Sequence, residues 1–554
     1  MARGPVARFR LGRRALEAAD GETVLGALAR RGLPNVVRSV RYHRPRGPFC
    51  GTGDCTGCLV RVNGRPNVRA CRHEVVDGDR VETDNAWPSP RFDLLGAIDL
   101  LFPSGIDTLH GFRRPRFAVG AYQRVIRRLA GYSAAPTDAA AAAIAGPLRR
   151  YDVDVAIVGA GPAGAGAAER LVAGGVRPLL VDRDRTSVPV PGAEALARTT
   201  VTYVPPPSTG ADRRFDVLGF EAPGLGVVVR CRSLVVATGS YDASLLFGGS
   251  DRPGVVAAEL ALRLSPPGTP SPFRRVVVFG GGARAKAVVD RLGASVAAVV
   301  APGEIGPDVA RAASDLGAPL YPRTLLLAAA GRGRVRSVAL KGRGGGPRFH
   351  VRCDGIVLAH RRLPNGRLLQ QAGAATEWRA DVGAHVPRVD PGGATTVAGL
   401  FVAGSLAGAA PGESRASGER AADAVLAAAP PLAPGPGPAD AAPGELEGYY
   451  RELLREPRHG KWIACPCEDV LLDEVERAAR TGYTGVEVVK RYTGLGTGLC
   501  QGRYCLPDAL LLLSILERRP PAEVGTITPR PPAVPMPLAA LAALSEEFPP
   551  EVVP

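Results

Sequence analysis

Four consecutive apolar residues, Val155-Ala156-Ile157-Val158, run into Gly159-Ala160-Gly161-Pro162-Ala163-Gly164, and a small-residue segment from Ala165 to Val172 follows. A short apolar run bounded by glycine predicts a buried strand, and the segment after it predicts a helix. Similar runs recur at Val176–Val181, Val227–Val229, Ser233–Ala237, Arg275–Phe279, Ala297–Val300, Ile356–Ala359 and Leu400–Ala403, and a helix is predicted over Ser417–Ala428. The stretch between Asp182 and Val227 is polar and proline-rich. Towards the N-terminus, Phe9–Arg13 reads as a strand and turn, and Gly21-Glu22-Thr23 opens a helical pattern over Val24–Ala29 closed by Gly32. Towards the C-terminus, Asp469–Thr481 reads as a capped amphipathic helix, and Thr528–Leu538, rich in proline, is expected to be extended.

The first strand–turn–helix unit carries candidate chemistry. Its glycine turn directs free N–H groups, and the positive end of a helix dipole, at the place a dinucleotide pyrophosphate would occupy. Gly159 permits the turn, Gly161 lets the backbone approach the phosphates, and Gly164 lets the helix pack close to the strand. Asp182 ends the next strand at the distance where an acid binds a ribose hydroxyl. Gly280-Gly281-Gly282 opens a second turn of this kind, with Ala285 in the place of the last glycine. The strands ending in Ala237-Thr238-Gly239 and Ala403-Gly404 stand where two-dinucleotide flavoproteins leave and re-enter the FAD domain. Thr238, Gly239 and Gly404 therefore join Gly159, Gly161, Gly164 and Asp182 as candidate cofactor-binding residues. Three features argue the other way. No double-glycine flavin loop follows Asp182, and Ser405 stands where many such folds carry an Asp. No ribose acid follows Ala297-Ala298-Val299-Val300, which leaves NAD(P) binding open.

Composition narrows the class. The chain has 554 residues and a formal charge of +16, with lysine only at positions 286, 341, 461 and 490, so arginine carries almost all of the positive charge. No basic stripe with interleaved aromatics appears, so a nucleic-acid partner is not expected, although an acidic protein partner remains open. No apolar run reaches the roughly 18 residues of a membrane helix. The N-terminal sequence has charge but no apolar core behind it, unlike a signal peptide. A cytoplasmic location without a transmembrane segment is the expectation.

Ten cysteines in a reducing compartment argue against a disulfide framework. Eight fall into two groups of four. Cys50, Cys55, Cys58 and Cys71 are spaced C-x4-C-x2-C-x12-C, the plant-type ferredoxin pattern for a [2Fe–2S] centre, with glycines that let the loop wrap a cluster. Cys465, Cys467, Cys500 and Cys505 form a C-x-C…C-x4-C set among glycines 494, 496, 498 and 502. Zinc is the alternative for both, although zinc sites more often pair two short knuckles. His43 and His73 read as surface residues rather than ligands, and Cys231 and Cys353 as core cysteines. No Ser-His-Asp pattern, paired carboxylate site or active dithiol stands out, so no catalytic residue is assigned.

The stretches FRLGRRALEAADGETVLGALARRG and GPFCGTGDCTGCLVRVNGRPNVRAC resemble the N-terminal ferredoxin-like domain of a known family. That family comprises the sarcosine oxidase alpha subunits, opine oxidases, hydrogen cyanide synthases and dye-linked proline and hydroxyproline dehydrogenases. Phe247–Val255 is similar to the same group's segment after Ala-Thr-Gly. CPCEDV…GLGTGLCQGRYC resembles bacterioferritin-associated-ferredoxin (BFD) [2Fe–2S] domains. The resemblance implies an α/β multidomain chain. A β-grasp ferredoxin-like domain would span 1–95 and a connector 96–150. An FAD/NAD(P)-type Rossmann-like core would span 151–430, with an insertion at about 272–370. A linker at 431–445, a small helical BFD-like [2Fe–2S] domain at 446–515 and an extended tail at 516–554 would complete it.

It also implies FAD and two [2Fe–2S] clusters, placed as an FAD station with a cluster on either side, and an oxidoreductase within a heteromeric complex. A separate glycine/sarcosine oxidase-like flavoprotein of beta type would oxidise an amine or imino acid. This chain would pass electrons to an acceptor protein or quinone. Two other readings stay open: a self-contained NAD(P)H-dependent flavin/[2Fe–2S] reductase, and a cluster-bearing scaffold whose FAD site has decayed.

Overall fold

The computed structural model describes residues 6–32, 37–103, 105, 117, 119–121, 148–184, 189–210, 212–222, 224–269, 271–433 and 444–547. Most of the connector expected at 96–150 lies outside them, as does most of the linker expected at 431–445. The chain divides into two compact units.

The first unit comprises Met1–Ala140, Asp242–Arg361 and Pro443–Thr526. Its N-terminal part is a five-stranded sheet of the ferredoxin type. The hairpin Val6–Leu11/Arg14–Ala19 lies beside Arg80–Glu82, then Leu59–Val62 and Arg65–Arg69. The helix Val24–Ala29 forms where expected, because the Thr23 hydroxyl accepts the Gly26 N–H at 3.2 Å as an N-cap. Its buried face, Val24, Leu25 and Leu28, packs with Phe9, Val60, Val62 and Val81.

The Asp242–Arg361 segment builds a parallel sheet in the order Val255–Ala257, Gly355–Leu358, Val276–Phe279, Val296–Val300, Leu320–Tyr321, with helices Ala258–Leu264, Ala283–Leu292 and Pro307–Asp315. Its central strands are apolar throughout, the pattern of strands buried on both faces. The C-terminal part carries helices Glu445–Leu453, Leu472–Arg480, Val486–Thr493 and Leu506–Glu517. The predicted cap at Asp469 is not made. Glu474 reaches back to the Leu471 N–H at 2.8 Å, and the helix starts at Leu472.

Asp469 instead joins two parts of this unit that lie more than 400 residues apart in sequence. Its Oδ2 accepts the N–H groups of Arg41 at 2.9 Å and Tyr42 at 3.1 Å, and its Oδ1 pairs with Arg46. Arg41 also binds Glu474 through two hydrogen bonds, at 2.8 and 2.6 Å. The Asp469 side chain is fully buried. Asp469→Ala is expected to cost about 1–3 kcal/mol, because Arg46 keeps Asp251 and Arg41 keeps Glu474 while the N–H groups of Arg41 and of buried Tyr42 lose their acceptor. Thermal unfolding of the full chain measures this; a change under about 0.5 kcal/mol would contradict the pairing.

The second unit comprises Ala141–Tyr241, Arg362–Ala442 and Ile527–Pro554. Its sheet runs Glu194–Leu196, Leu179–Val181, Arg149–Val158, Leu225–Val236, Phe215–Glu221, Thr199–Tyr203, with Leu400–Val402 parallel to the end of Leu225–Val236. The helices Pro162–Ala173 and Ser414–Leu426 pack against each other so closely that a Cβ on Gly418 would meet the Ala163 carbonyl oxygen at 1.9 Å.

Two expectations are corrected here. The polar, proline-rich segment after Asp182 adds an edge strand and an antiparallel meander. The two short runs Val227–Val229 and Ser233–Ala237 form one strand, antiparallel to the meander in its first half and in the parallel core in its second. The tail is not wholly extended either. Leu538–Glu547 is a helix, and its Leu544 packs with Tyr203, Leu218 and Val228. Among the described residues no helix is long and apolar enough to cross a membrane.

Candidate redox and cofactor sites

The Cys50–Cys58 loop begins at a glycine-rich turn, with Gly51 at φ +72° and Gly53 at φ +81°. Cys50, Cys55, Cys58 and Cys71 are all buried and none is in a disulfide. Cys50 lies within hydrogen-bonding reach of Cys55 and Cys71, and Cys71 also reaches Cys58. The Thr52 N–H points at Cys50 Sγ at 3.4 Å, and the Gly57 N–H reaches Cys55. Gly57 is held tightly: a Cβ there would lie 2.1 Å from the Gly47 carbonyl oxygen. Four converging thiols with backbone N–H groups aimed at sulfur fit the ligand set of a [2Fe–2S] centre.

Cys465, Cys467, Cys500 and Cys505 are likewise buried and free, and pair as Cys467 with Cys500 and Cys465 with Cys505. Gly496 and Gly502, both in the left-handed region, bring their Cα atoms close beside each other behind the Cys500–Cys505 loop. Among the described residues no three His, Cys, Asp or Glu side chains are arranged about a single metal ion.

The sequence placed the two quartets on either side of the dinucleotide fold. The structure corrects this: both lie in the first unit, facing each other. The Thr56 hydroxyl donates to Cys467 Sγ at 3.6 Å. The rings of Phe49 and Tyr504 meet edge-on with centroids 5.2 Å apart, and Arg503 lies 4.0 Å from Asp54. A cavity of about 70 Å³ has Arg46, Cys55, Thr56, Cys467, Tyr504 and Asp508 in its wall. Sequence reasoning missed Thr56, Arg46 and Asp508, and no local signal marks them.

Asp508 binds Arg361 at 2.7 Å and the Ser244 hydroxyl at 3.2 Å. Burial pushes its carboxyl up to about 6 from the usual 3.8, against the pull of Arg361. A folded value raised above the unfolded one contributes stability that is present below about pH 4 and lost as pH rises through about 6. A shift of two units corresponds to about 3 kcal/mol. The apparent melting temperature is therefore expected to fall between pH 5 and 7.5, and Asp508→Asn to flatten that slope; an unaltered slope would rule Asp508 out as its source.

His43 and His73 are not free surface residues. His43 is buried with Nδ1 3.0 Å from Asp93, and His73 Nε2 lies 2.8 Å from Asp79. Cys231 and Cys353 are buried in strand contexts, and burial pushes each thiol up to about 12, as for inert core cysteines.

In the second unit the turn after Arg149–Val158 has the expected geometry. Gly159 is at φ +106°, and a Cβ there would lie 2.4 Å from the Ala237 carbonyl oxygen. Gly161 precedes the helix, Pro162 opens it, and a Cβ on Gly161 would meet no heavy atom within 4 Å. A Cβ on Gly164 would lie 1.8 Å from the Gly159 carbonyl oxygen. Asp182 Oδ2 accepts the Ala160 N–H at 2.7 Å and Oδ1 the Asp184 N–H at 2.6 Å, so the acid is fixed against the turn.

Thr238 Oγ1 donates to the Asn365 carbonyl at 3.0 Å, and Asn365 N–H donates to Gly239 O at 3.0 Å. The Gly404 N–H donates to the Ser417 hydroxyl at 3.0 Å. Ser405, in the place of the expected Asp, lies 2.9 Å from the Ser240 hydroxyl. An open helix N-terminus and a glycine that admits close approach fit a dinucleotide pyrophosphate, and the fixed acid beside the turn fits a ribose hydroxyl.

The glycine turn of the inserted fold differs. The Glu304 carbonyl oxygen would lie 2.3 Å from a Cβ on Gly281, and Gly306 N–H donates to Gly281 O at 2.9 Å, so the 304–306 segment packs directly on the turn. Ala301, not an acid, follows the strand Val296–Val300.

Comparison with known proteins finds three domain families along the chain. The family described as "2Fe-2S iron-sulfur cluster binding domain" matches residues 7–86, "FAD binding domain" residues 152–360 and "Sarcosine oxidase A3 domain" residues 460–545. The alpha subunit of sarcosine oxidase from Rhizobium meliloti (strain 1021) is 28% identical over 95% of this chain and 57% of its own length. The chain thus spans little more than half of that relative. The A-type subunit of opine oxidase from Agrobacterium tumefaciens (strain Ach5) is 26% identical over 71% of this chain and 92% of its own length. The HcnA subunit of hydrogen cyanide synthase from Pseudomonas aeruginosa is 47% identical over 76 residues, 14% of this chain and 68% of its own length. The crystal structure of L-proline dehydrogenase from P. horikoshii shares the fold, with a TM-score of 0.66 at 20% identity over 97% of both chains. With a [2Fe–2S] domain, an FAD-binding domain and a sarcosine oxidase A3 domain in one chain, the protein belongs to the group of alpha-type subunits found in sarcosine oxidase, opine oxidase and hydrogen cyanide synthase.

Proposed function

We propose that this chain is the FAD- and iron–sulfur-containing electron-transfer subunit of a multi-subunit dehydrogenase or oxidase acting on an amine or imino acid of the sarcosine, proline, hydroxyproline or opine class. The observation that carries the reading is the presence, in a chain with an FAD-type fold, of two buried thiol quartets one hydrogen bond apart. When bound, FAD accepts electrons in pairs and releases them singly, while a [2Fe–2S] centre carries one.

The residues of this chain bind and shield these groups. The N–H groups of Gly161, Ala163 and Gly164 would face a pyrophosphate, with Asp182 fixed beside the turn and Thr238, Gly239 and Gly404 on the flavin side. Cys50, Cys55, Cys58 and Cys71 hold one centre, and Cys465, Cys467, Cys500 and Cys505 a second. The relatives' names, sarcosine oxidase and opine oxidase, support a C–N-oxidising donor. A beta-type flavoprotein subunit would perform that oxidation, in the cytoplasm, and an acceptor protein or quinone would remove the electrons.

The test is anaerobic mixing of this chain with a glycine-oxidase-like flavoprotein from its gene neighbourhood. Sarcosine, proline, hydroxyproline or an opine should bleach the visible absorbance of this chain only when the flavoprotein is present. Bleaching of the isolated chain by NADH, with no response to any amine in the mixture, would favour a self-contained reductase and overturn the reading.

A further inference from the structure

Thr56 sits between two cysteine ligands of the first quartet, Cys55 and Cys58, yet its hydroxyl hydrogen is aimed at a sulfur of the second, Cys467 Sγ, at 3.6 Å. The contact is enclosed: Thr56 is 8% exposed and Cys467 4%. Water therefore competes little for the hydroxyl or for the sulfur. The orientation is also well determined. Gly57, next in sequence, has no room for a side chain against Gly47, and on the other side the Thr52 hydroxyl holds the Asp54 carboxylate at 2.7 Å. Across the same face, Asp54 meets Arg503, and Phe49 meets Tyr504. Residues next to Cys50, Cys55 and Cys505 thus lock the two loops together around the Thr56–Cys467 contact.

We propose that Thr56 is a positioning residue that couples the two quartets, its hydroxyl setting the electron affinity of the centre held by the second quartet from within the loop of the first. The inference rests on the reading that both quartets hold [2Fe–2S] centres. Hydrogen bonds to ligand sulfurs are among the determinants of an iron–sulfur potential, because a donor favours the more negative, reduced form. The hydroxyl also carries the direct contact by which Cys55 and Cys467 are linked, through one residue and one hydrogen bond.

The experiment is an EPR-monitored redox titration of the anaerobically purified full chain, comparing wild type with Thr56→Val and Thr56→Ser. Valine keeps the volume and removes the donor; serine restores it. The expected result is two reducible signals in every variant. In Thr56→Val the signal of the second quartet titrates at lower potential, by up to a tenfold change in its reduction equilibrium, about 59 mV for one electron, while the other moves less. Thr56→Ser returns it towards wild type. The signals are assigned by the Cys465→Ser/Cys467→Ser double variant, which removes the second. Two signals whose potentials are unchanged in Thr56→Val overturn the inference and leave the two-centre reading intact. A single signal in wild type overturns that reading, and the inference with it.

Discussion

Replacing Cys465 and Cys467 together by serine is expected to halve the iron of the purified chain, from about four to about two atoms, with an equal loss of acid-labile sulfide. The expectation follows from the separation of ligand duties. Every cysteine of the second quartet finds its thiol partner inside that quartet, and the first quartet is closed in the same way by Cys50, Cys55, Cys58 and Cys71. Losing one set removes one centre without dismantling the other, because the first loop is held by its own backbone and by the sheet beneath it. The complementary Cys50→Ser/Cys58→Ser variant should keep the second centre. Iron and sulfide assays check both. Loss of all iron from either variant would mean that the eight thiols act as one site. Zinc found in place of iron in the second quartet would remove it from the electron path.

The second large effect concerns the glycine turn, where two neighbouring substitutions should separate folding from cofactor binding. Gly164→Ala puts a methyl group 1.8 Å from the Gly159 carbonyl oxygen, an overlap with backbone that no side-chain rotation relieves. The expected cost lies at or above the top of the about 1–3 kcal/mol usual for overpacking. It should appear as a lower melting temperature with or without flavin. Gly161→Ala meets no atom within 4 Å and has an ordinary φ of −70°, so the apoprotein should keep its stability within about 0.5 kcal/mol. Its methyl group takes the space through which the backbone would approach a pyrophosphate, and FAD should bind about tenfold more weakly or worse, about 1.4 kcal/mol. Melting curves and flavin fluorescence titration distinguish the two. Unchanged flavin affinity in Gly161→Ala would show that the dinucleotide does not lie on this turn.

What could be read from the sequence was local. The Gly159–Gly164 turn, the Thr23-capped helix and the cysteine spacings are each contained in a few tens of residues, and each states its geometry through residue type. What could not be read depends on distant partners. Asp469 looks like a helix cap because an acid before an apolar run usually is one, but Arg41 and Arg46, more than 400 residues earlier, claim its oxygens. His43 looks exposed in an arginine-rich stretch and is buried against Asp93. The relay order failed for the same reason. Chain order separates the quartets by the whole dinucleotide fold, while Thr56 and Cys467, 411 residues apart, touch. The helix Leu538–Glu547 was hidden differently, by the prolines just before it, which made the whole tail read as extended. The strand Thr199–Tyr203, which pairs with Phe215–Glu221, is masked in the sequence because Pro205-Pro206-Pro207 and the charged residues around Asp212 outweigh its β-branched run Thr199–Thr202.

The inserted fold shows where pattern and geometry part. Its strand and glycine turn have the form of a nucleotide site, but the 304–306 segment packs on the turn and Arg284, in the first turn of the helix, is taken up by Asp242 and Glu259. A Cβ on Gly161 meets nothing within 4 Å, and neither does one on the matching Gly282, so the turn at Gly159 is set apart by its acid, Asp182, already turned to the loop.

The central claim, that one chain carries two [2Fe–2S] centres and an FAD, is tested most directly by quantifying iron, acid-labile sulfide, zinc and flavin in the anaerobically purified chain. About four iron, about four sulfide and about one FAD per chain are expected, with no stoichiometric zinc. About two iron with one equivalent of zinc, or a full complement of iron without flavin, would contradict it.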